Sequence, residues 1–293
     1  MGGSARQRVV MGDRGGRLRW YVDRLRSMPL PELPHRVRQA LRQQLDRRSA
    51  APRRAPAALR HQPLPRFPLD EAALRGAGAD DRARIARQAA DLVGDRLVLL
   101  GQRWPAGART DWGLDPVSGA RWDWDRFCFD IEPRHGRGPG DVKLVWELSR
   151  LQHLQLLALD AYLSGNASSR AACIADLTAW MARNPPFRGL GYASGIELAS
   201  RVISVLLVVA LLDPAALPAP LTGAIWDMLS AHGVWLARYP SLYSSANNHL
   251  IAEATGLLAL GCLAPQLPDA AAWLATGRAH LEREAARQIH TDG

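Results

Sequence analysis

The clearest pattern lies in the second half of the chain, where apolar residues recur every three to four positions and no strand-like alternation competes. This spacing predicts helices near 142–164, 167–184, 194–212, 219–238, 246–264 and 268–290. Their ends are punctuated by Ser164-Gly165-Asn166, Asn184-Pro185-Pro186, Asp213-Pro214, Tyr239-Pro240 and Pro265. Proline has no amide N–H to give and clashes with the preceding turn, so it stops a helix. Helices of similar length with short connections predict stacked antiparallel hairpins. Hairpins set in a ring give an α/α toroid. A helical solenoid is the competing arrangement, and no repeated signature supports it.

Upstream the pattern is more broken. Residues 1–13 read as disordered. Leu18, Tyr21, Val22 and Leu25, then Leu33, Val37, Leu41 and Leu45, keep helical spacing around Pro29, Pro31 and Pro34. They predict two basic amphipathic helices with a kink between them. Residues 49–69, rich in Pro, Ala and Arg, read as an extended linker, and residues 70–100 return to helical character. Between 101 and 140, Trp104, Trp112, Trp122, Trp124 and Phe127 alternate with polar turns. This is a long structured loop region, and long loops in compact domains often carry function.

Composition narrows the classes. Of 293 residues 47 % are hydrophobic, enough for a sizeable core. The formal charge is +9, and the cations are arginines apart from Lys143. That balance suits a polyanion, either nucleic acid or an acidic polysaccharide. No recognition-helix motif accompanies it, so nucleic acid is not expected. The ten tryptophans serve either as core fillers or as flat platforms for sugar rings. Cys128, Cys173 and Cys262 stand far apart with no CxxC pair, which argues against a disulfide framework and places them in or near the core. The histidines lack metal-ligand spacing, and no cofactor is expected. The longest apolar run, Val202 to Leu212, is too short to span a membrane. The start of the chain, with Arg6 and Arg8, lacks the apolar stretch of a signal peptide.

Three constellations carry candidate chemistry. In Asp141-Val-Lys143-Leu-Val-Trp146-Glu147-Leu-Ser-Arg150-Leu-Gln152-His153, helical spacing gathers Lys143, Glu147 and Arg150 on one face, and Trp146, Arg150 and His153 follow the same spacing. This is either a solvated salt-bridged face or a cleft wall with cations for an acidic substrate. In Tyr192-Ala-Ser194-Gly-Ile-Glu197-Leu-Ala-Ser-Arg201, Ser194 and Glu197 form a capping box, and Glu197 and Arg201 an i,i+4 pair. Structure explains that segment fully. In Tyr243-Ser-Ser-Ala-Asn247-Asn248-His249-Leu-Ile-Ala-Glu253, one Asn can cap a helix. Two Asn with His249 and Tyr243 exceed what a cap requires: amides can bind a carboxylate and a histidine can move a proton.

Taken together, these motifs resemble the heparinase II/III family of polysaccharide lyases. The resemblance rests on Asp141-x-Lys143-x-x-Trp146-Glu147-x-x-Arg150-x-Gln152-His153, on Asn184-Pro185 before Tyr192-Ala193-Ser194-x-x-Glu197-x-x-x-Arg201, on Tyr243-Ser244-Ser245-x-Asn247-Asn248-His249-Leu250-x-x-Glu253, and on Ile289-x-x-Asp292-Gly293. The early Leu18-Arg-Trp-Tyr21 and Arg24-Leu-Arg-Ser-Met28 are similar to the family's leader segment. The resemblance implies an all-α fold, an incomplete α/α toroid over 70–293 behind a basic helical segment and linker over 1–69, and in the family a β-sandwich domain beyond it. It implies β-elimination of uronate-containing polysaccharides. In that chemistry hydrogen bonds neutralise the uronate carboxylate, a base removes the C5 proton, and an acid protonates the leaving oxygen. By resemblance Asn248 holds the carboxylate and His249 assists it or acts as base. Asn247, Tyr243, Trp146, Glu147, Arg150, His153, Tyr192, Glu197 and Arg201 are the expected substrate-binding residues. The partner is an acidic polysaccharide, and this substrate class suggests a periplasmic or other envelope location. A non-catalytic glycan-binding toroid is the alternative.

The family's acid, a tyrosine shortly after the Asp-Gly matched by Asp292-Gly293, has no counterpart in these 293 residues, so the chain reads as a fragment. The 293-residue chain alone is therefore expected to show little or no lyase activity. Absorbance of unsaturated uronate products on several acidic glycans checks this, and robust turnover refutes it.

Overall fold

The computed structural model describes residues 29–49, 54–133, 138–243 and 246–289. The disordered start, the leader resemblance at 18–28, Ser244-Ser245 and Asp292-Gly293 lie outside the described residues. The chain divides into two compact units, Met1–Asp46 and Arg47–Gly293.

The first unit contains most of helix α1 (Glu32–Arg48). It opens after Pro31, as a helix start near proline should. Leu33, Val37, Leu41 and Leu45 form the expected stripe and are all exposed.

The second unit is the expected incomplete toroid of antiparallel helical hairpins. Its helices are α2 (Glu71–Arg75), α3 (Ala79–Val93), α4 (Val142–Ser149), α5 (His153–Ser164), α6 (Ala167–Arg183), α7 (Gly195–Leu212), α8 (Ala219–Arg238), α9 (Asn248–Leu263) and α10 (Ala270–Gln288). The ends predicted from proline and glycine punctuation match to within a few residues. Side-chain caps open several of them: Asp70 accepts from the amide of Ala73, Asp141 from Lys143, and Asn166 from Ser168 and Ser169. Helix α5 packs on α3, α6 and α7, α7 on α8 and α9, and α9 on α10.

Four expectations need correction. The segment read as a linker is not free: Ala55, Leu59 and Leu64 are buried, and residues 54–62 lie along α8. The Trp226 indole donates to the Gln62 carbonyl at 3.1 Å, and Asp227 accepts from the Ala55 amide at 3.0 Å. The region read as helical to residue 100 ends in a two-stranded antiparallel hairpin, β1 (Val98–Leu99) and β2 (Gln102–Arg103). Cys262 is exposed, whereas Cys128 and Cys173 are buried.

The fourth correction concerns 142–164, predicted as one helix. It breaks into α4 and α5 at Leu151, which takes φ +62°. A left-handed conformation costs an L-residue roughly 1–2 kcal/mol. Leu151 is 0 % exposed, and burying a leucine side chain is worth about 1.5–3 kcal/mol. Burial outweighs strain, and no glycine or proline marks the turn.

Helix α7 is long and apolar enough to cross a membrane by composition, with a mean hydropathy of 2.1. Starting at Gly195, it is longer than the apolar run counted from the sequence. Its apolar surface is spent inside the bundle: Leu198, Val202, Val205, Leu206, Val208, Val209 and Leu212 are all buried.

Helices α9 and α10 meet backbone to backbone. A methyl on Gly277 would lie 2.7 Å from the Ala254 carbonyl oxygen and 2.8 Å from the Leu258 nitrogen. Neither can swing away. Gly277→Ala gains up to about 1 kcal/mol of helix propensity but is expected to lose about 1–3 kcal/mol to overpacking. A urea midpoint lower than that of the parent checks this, and an unchanged or higher midpoint contradicts the close approach.

Candidate active site

Part of the expected site gathers where the C-terminus of α4 meets the N-terminal part of α7, which carries Glu197 and Arg201. Arg150, just past α4, is the charged centre. Its Nε and one terminal nitrogen donate to the two carboxylate oxygens of Glu197 at 2.7 and 3.1 Å, and its other terminal nitrogen donates to Glu147 at 2.7 Å. A two-pronged guanidinium–carboxylate pair fixes both side chains. The Glu197 hydrogen bond is the leading cause that holds Arg150 above its ordinary pKa. Glu197 is almost fully enclosed, while the Arg150 side chain keeps 29 % of its surface exposed. The expected Glu147–Arg150 contact is present. The expected Glu197–Arg201 pair is not, and Ser194 makes no side-chain cap. Glu197 turns to Arg150 instead, because a tertiary cation in bidentate geometry outbids its own helix.

Arg201 points the other way and is fully buried. Its Nε donates to the Ser149 carbonyl at 2.6 Å, one terminal nitrogen to the Gly191 carbonyl at 3.0 Å, and the other to the Ser149 hydroxyl at 3.1 Å. The guanidinium lies 4.5 Å over the Trp180 ring. It also sits 2.9 Å from His232 Nε2. The Nδ1 of His232 lies 2.8 Å from the Met228 carbonyl, which can only accept. Nδ1 therefore carries the proton and Nε2 accepts from Arg201. Burial, then the Arg201 charge, holds the His232 pKa well below its ordinary value. Burial lowers Arg201 to about 10, still protonated at neutral pH. Tyr192 is enclosed as well, stacked on Phe187 and edge-on to His232. Arg201 and Tyr192 were expected to touch substrate; the structure puts both behind the surface, where they position their neighbours. Trp146 is half-buried and donates its indole N–H to the Leu190 carbonyl at 3.2 Å.

His153 does not join this group. The turn at Leu151 rotates it away from the face of Arg150, and it is 4 % exposed. Burial, then nearby Arg109, lowers its pKa to about 3, so it is neutral.

The Asn-Asn-His segment forms the start of α9. Asn247 occupies the N-cap position, yet its side chain makes no cap hydrogen bond. Its own side chain therefore does not serve as the cap of this helix. Asn247, Asn248 and Tyr243 are exposed, and His249 is partly so. One turn along from His249, Glu253 is buried and its carboxylate lies against Gly195 at the start of α7. It accepts from the Ser241 amide at 2.8 Å and the Ser241 hydroxyl at 2.7 Å. Glu253 thus ties the loop before α9 to the helix that carries Glu197. Sequence reading missed Ser241, Ser149 and His232 as partners. The lone histidine in the apolar stretch of α8 was the only available signal for His232. Among the described residues no group of His, Cys, Asp or Glu is gathered to hold a metal ion.

With this geometry in hand, the comparisons are informative. The family model described as Heparinase II/III N-terminus matches residues 102–293. The chain belongs to this family. Solved structures similar to it include a heparan sulfate lyase, HepC, from Pedobacter heparinus, at 18 % identity and TM-score 0.54, covering 82 % of this chain and 33 % of that one. A heparinase III gene product with methylated lysines has 18 % identity and TM-score 0.52, covering 78 % of this chain and 35 % of that one. These likenesses show a shared fold, and this heparinase II/III chain spans about a third of the length of those structures. No curated protein matches its sequence.

Burial, opposed by the Ser241 hydrogen bonds, raises Glu253 from 4.5 to about 7. Between those values the folded state holds a proton that the unfolded state has lost, so Glu253 removes stability as pH rises through this window. Glu253→Gln is expected to gain on the parent in thermal midpoint from about pH 4.5 to about pH 7. A pH-independent difference between the two rules this out.

Proposed function

We propose that this chain contributes the saccharide-binding wall of a polysaccharide lyase that acts by β-elimination on uronate-containing acidic polysaccharides. The observation that carries the reading is the exposed Asn247-Asn248 head of α9, which the Asn247 side chain does not cap, in a chain of the heparinase II/III family; one turn on, Glu253 lies against the start of the helix whose Glu197 holds the partly exposed Arg150. A helix N-terminus attracts an anion through its amides and dipole. Asn248 adds a side-chain donor, so a uronate carboxylate received there is neutralised by hydrogen bonds rather than by a buried counter-charge. Neutralising that carboxylate acidifies the proton on the adjacent C5 carbon, and stabilising the charge that develops is the larger part of such catalysis. His249 stands next to Asn248 on the same helix and is placed to assist the carboxylate or to take the proton. Arg150 and Tyr243 orient the rest of the sugar, with Trp146, Glu147 and Asn247 at the rim. Glu197, Arg201 and Tyr192 hold the wall rigid from behind.

Binding tests this directly. Calorimetry of the 293-residue chain with uronate oligosaccharides is expected to show binding that Asn248→Ala weakens by about tenfold, the factor for one charge-assisted hydrogen bond. Both residues changed here are solvent-facing, so His249→Ala should behave likewise with the fold intact. Binding unaffected by either substitution refutes the assignment.

A further inference from the structure

The tryptophan-rich loop region encloses a cavity of about 420 Å³ that the proposed site does not use. Its volume falls within the range of roughly 300–1,000 Å³ common for small-molecule sites. Trp112, Trp122 and Trp124 line it, and Arg121 and Arg183 stand among its polar lining. Arg121 is paired with Asp111 at 2.9 Å. Arg183, at the end of α6, is exposed and has no carboxylate partner among the described residues. The indole N–H groups of all three tryptophans are buried with no hydrogen-bond acceptor. The same holds for Trp104 and Trp235, which do not line the cavity, so the lining is read from its shape and charge. A partly apolar wall, to which the buried tryptophans show only small parts of their rings, beside an unneutralised cation suits a sugar that carries an acid group: its C–H face meets the apolar wall and its anion meets guanidinium.

The cavity is joined to the proposed site by the connection 184–194. Gly189 donates its amide to the Arg126 carbonyl at 2.9 Å, and Arg188 donates to the Asp125 carbonyl at 2.6 Å. A few residues on, the same connection supplies the Leu190 carbonyl to Trp146 and the Gly191 carbonyl to Arg201. The connection 184–194 thus touches both the segment that carries Trp124 and the residues behind Arg150.

We infer that this pocket is a second saccharide subsite, which takes an acidic sugar unit of the same polymer whose uronate lies at the start of α9. The inference rests on the proposed function for its ligand class, and its test separates the two. The 293-residue chain is titrated with uronate oligosaccharides of increasing length, with calorimetry and tryptophan fluorescence as readouts. Affinity is expected to step up once an oligomer reaches both places. Arg183→Ala is expected to remove that step, weakening long oligomers about tenfold while leaving the shortest binder unchanged; Arg183→Lys restores part of it. If Asn248→Ala weakens every oligomer and Arg183→Ala none, the subsite is overturned and the proposed function stands. If Arg183→Ala weakens binding and Asn248→Ala does not, the uronate site at α9 fails and the two-site form of the inference fails with it. If no oligomer binds, both are overturned.

Discussion

The second unit is organised around one buried guanidinium. Arg201 makes no ion pair with a carboxylate among the described residues, and taking such a cation out of water is among the most expensive steps in folding. The cost is offset only because every direction of the guanidinium meets an acceptor or a ring: the Ser149 carbonyl and hydroxyl, the Gly191 carbonyl, His232 and the Trp180 face. Each of those partners lies on a different element. The cation therefore holds the end of α4, the connection before α7, and helices α6 and α8 in one fixed relation. A positive charge at the Ser149 carbonyl also suits the negative end of α4.

That arrangement explains why α4 stops where it does. With the Ser149 carbonyl claimed by Arg201, the chain turns through Leu151, and Arg150 is left free to swing toward Glu197. The two arginines divide the labour by exposure. Arg201 is sealed and serves the fold, whereas Arg150 keeps part of its surface open and presents charge to solvent. In the proposed function a glycan meets the second, and the first keeps it in place.

Helix α9 is held with comparable precision by different means. Its far side lies against α10 at glycine contacts, and Glu253 anchors its first turns to Ser241 and to the start of α7. Tertiary contacts, rather than an Asn247 side-chain cap, fix the position of the polar head of α9.

The sequence by itself determined the helical class of the second half and most of its helix boundaries, because proline stops and helical spacing act locally. It also determined the family, since ordered motifs from Asp141 to Glu253 are specific as a set, and it singled out the exposed Asn-Asn-His head. Tertiary structure alone decided the rest. The break at Leu151 depends on burial overcoming backbone strain, and the partner of Glu197 depends on a cation far away in the chain. His153, Tyr192 and Arg201 keep motif spacing yet face inward, because spacing along a helix fixes which residues share a face and not what that face packs against. The linker read over 49–69 looked free for the same reason: its composition says nothing about the acceptors and donors that α8 offers it.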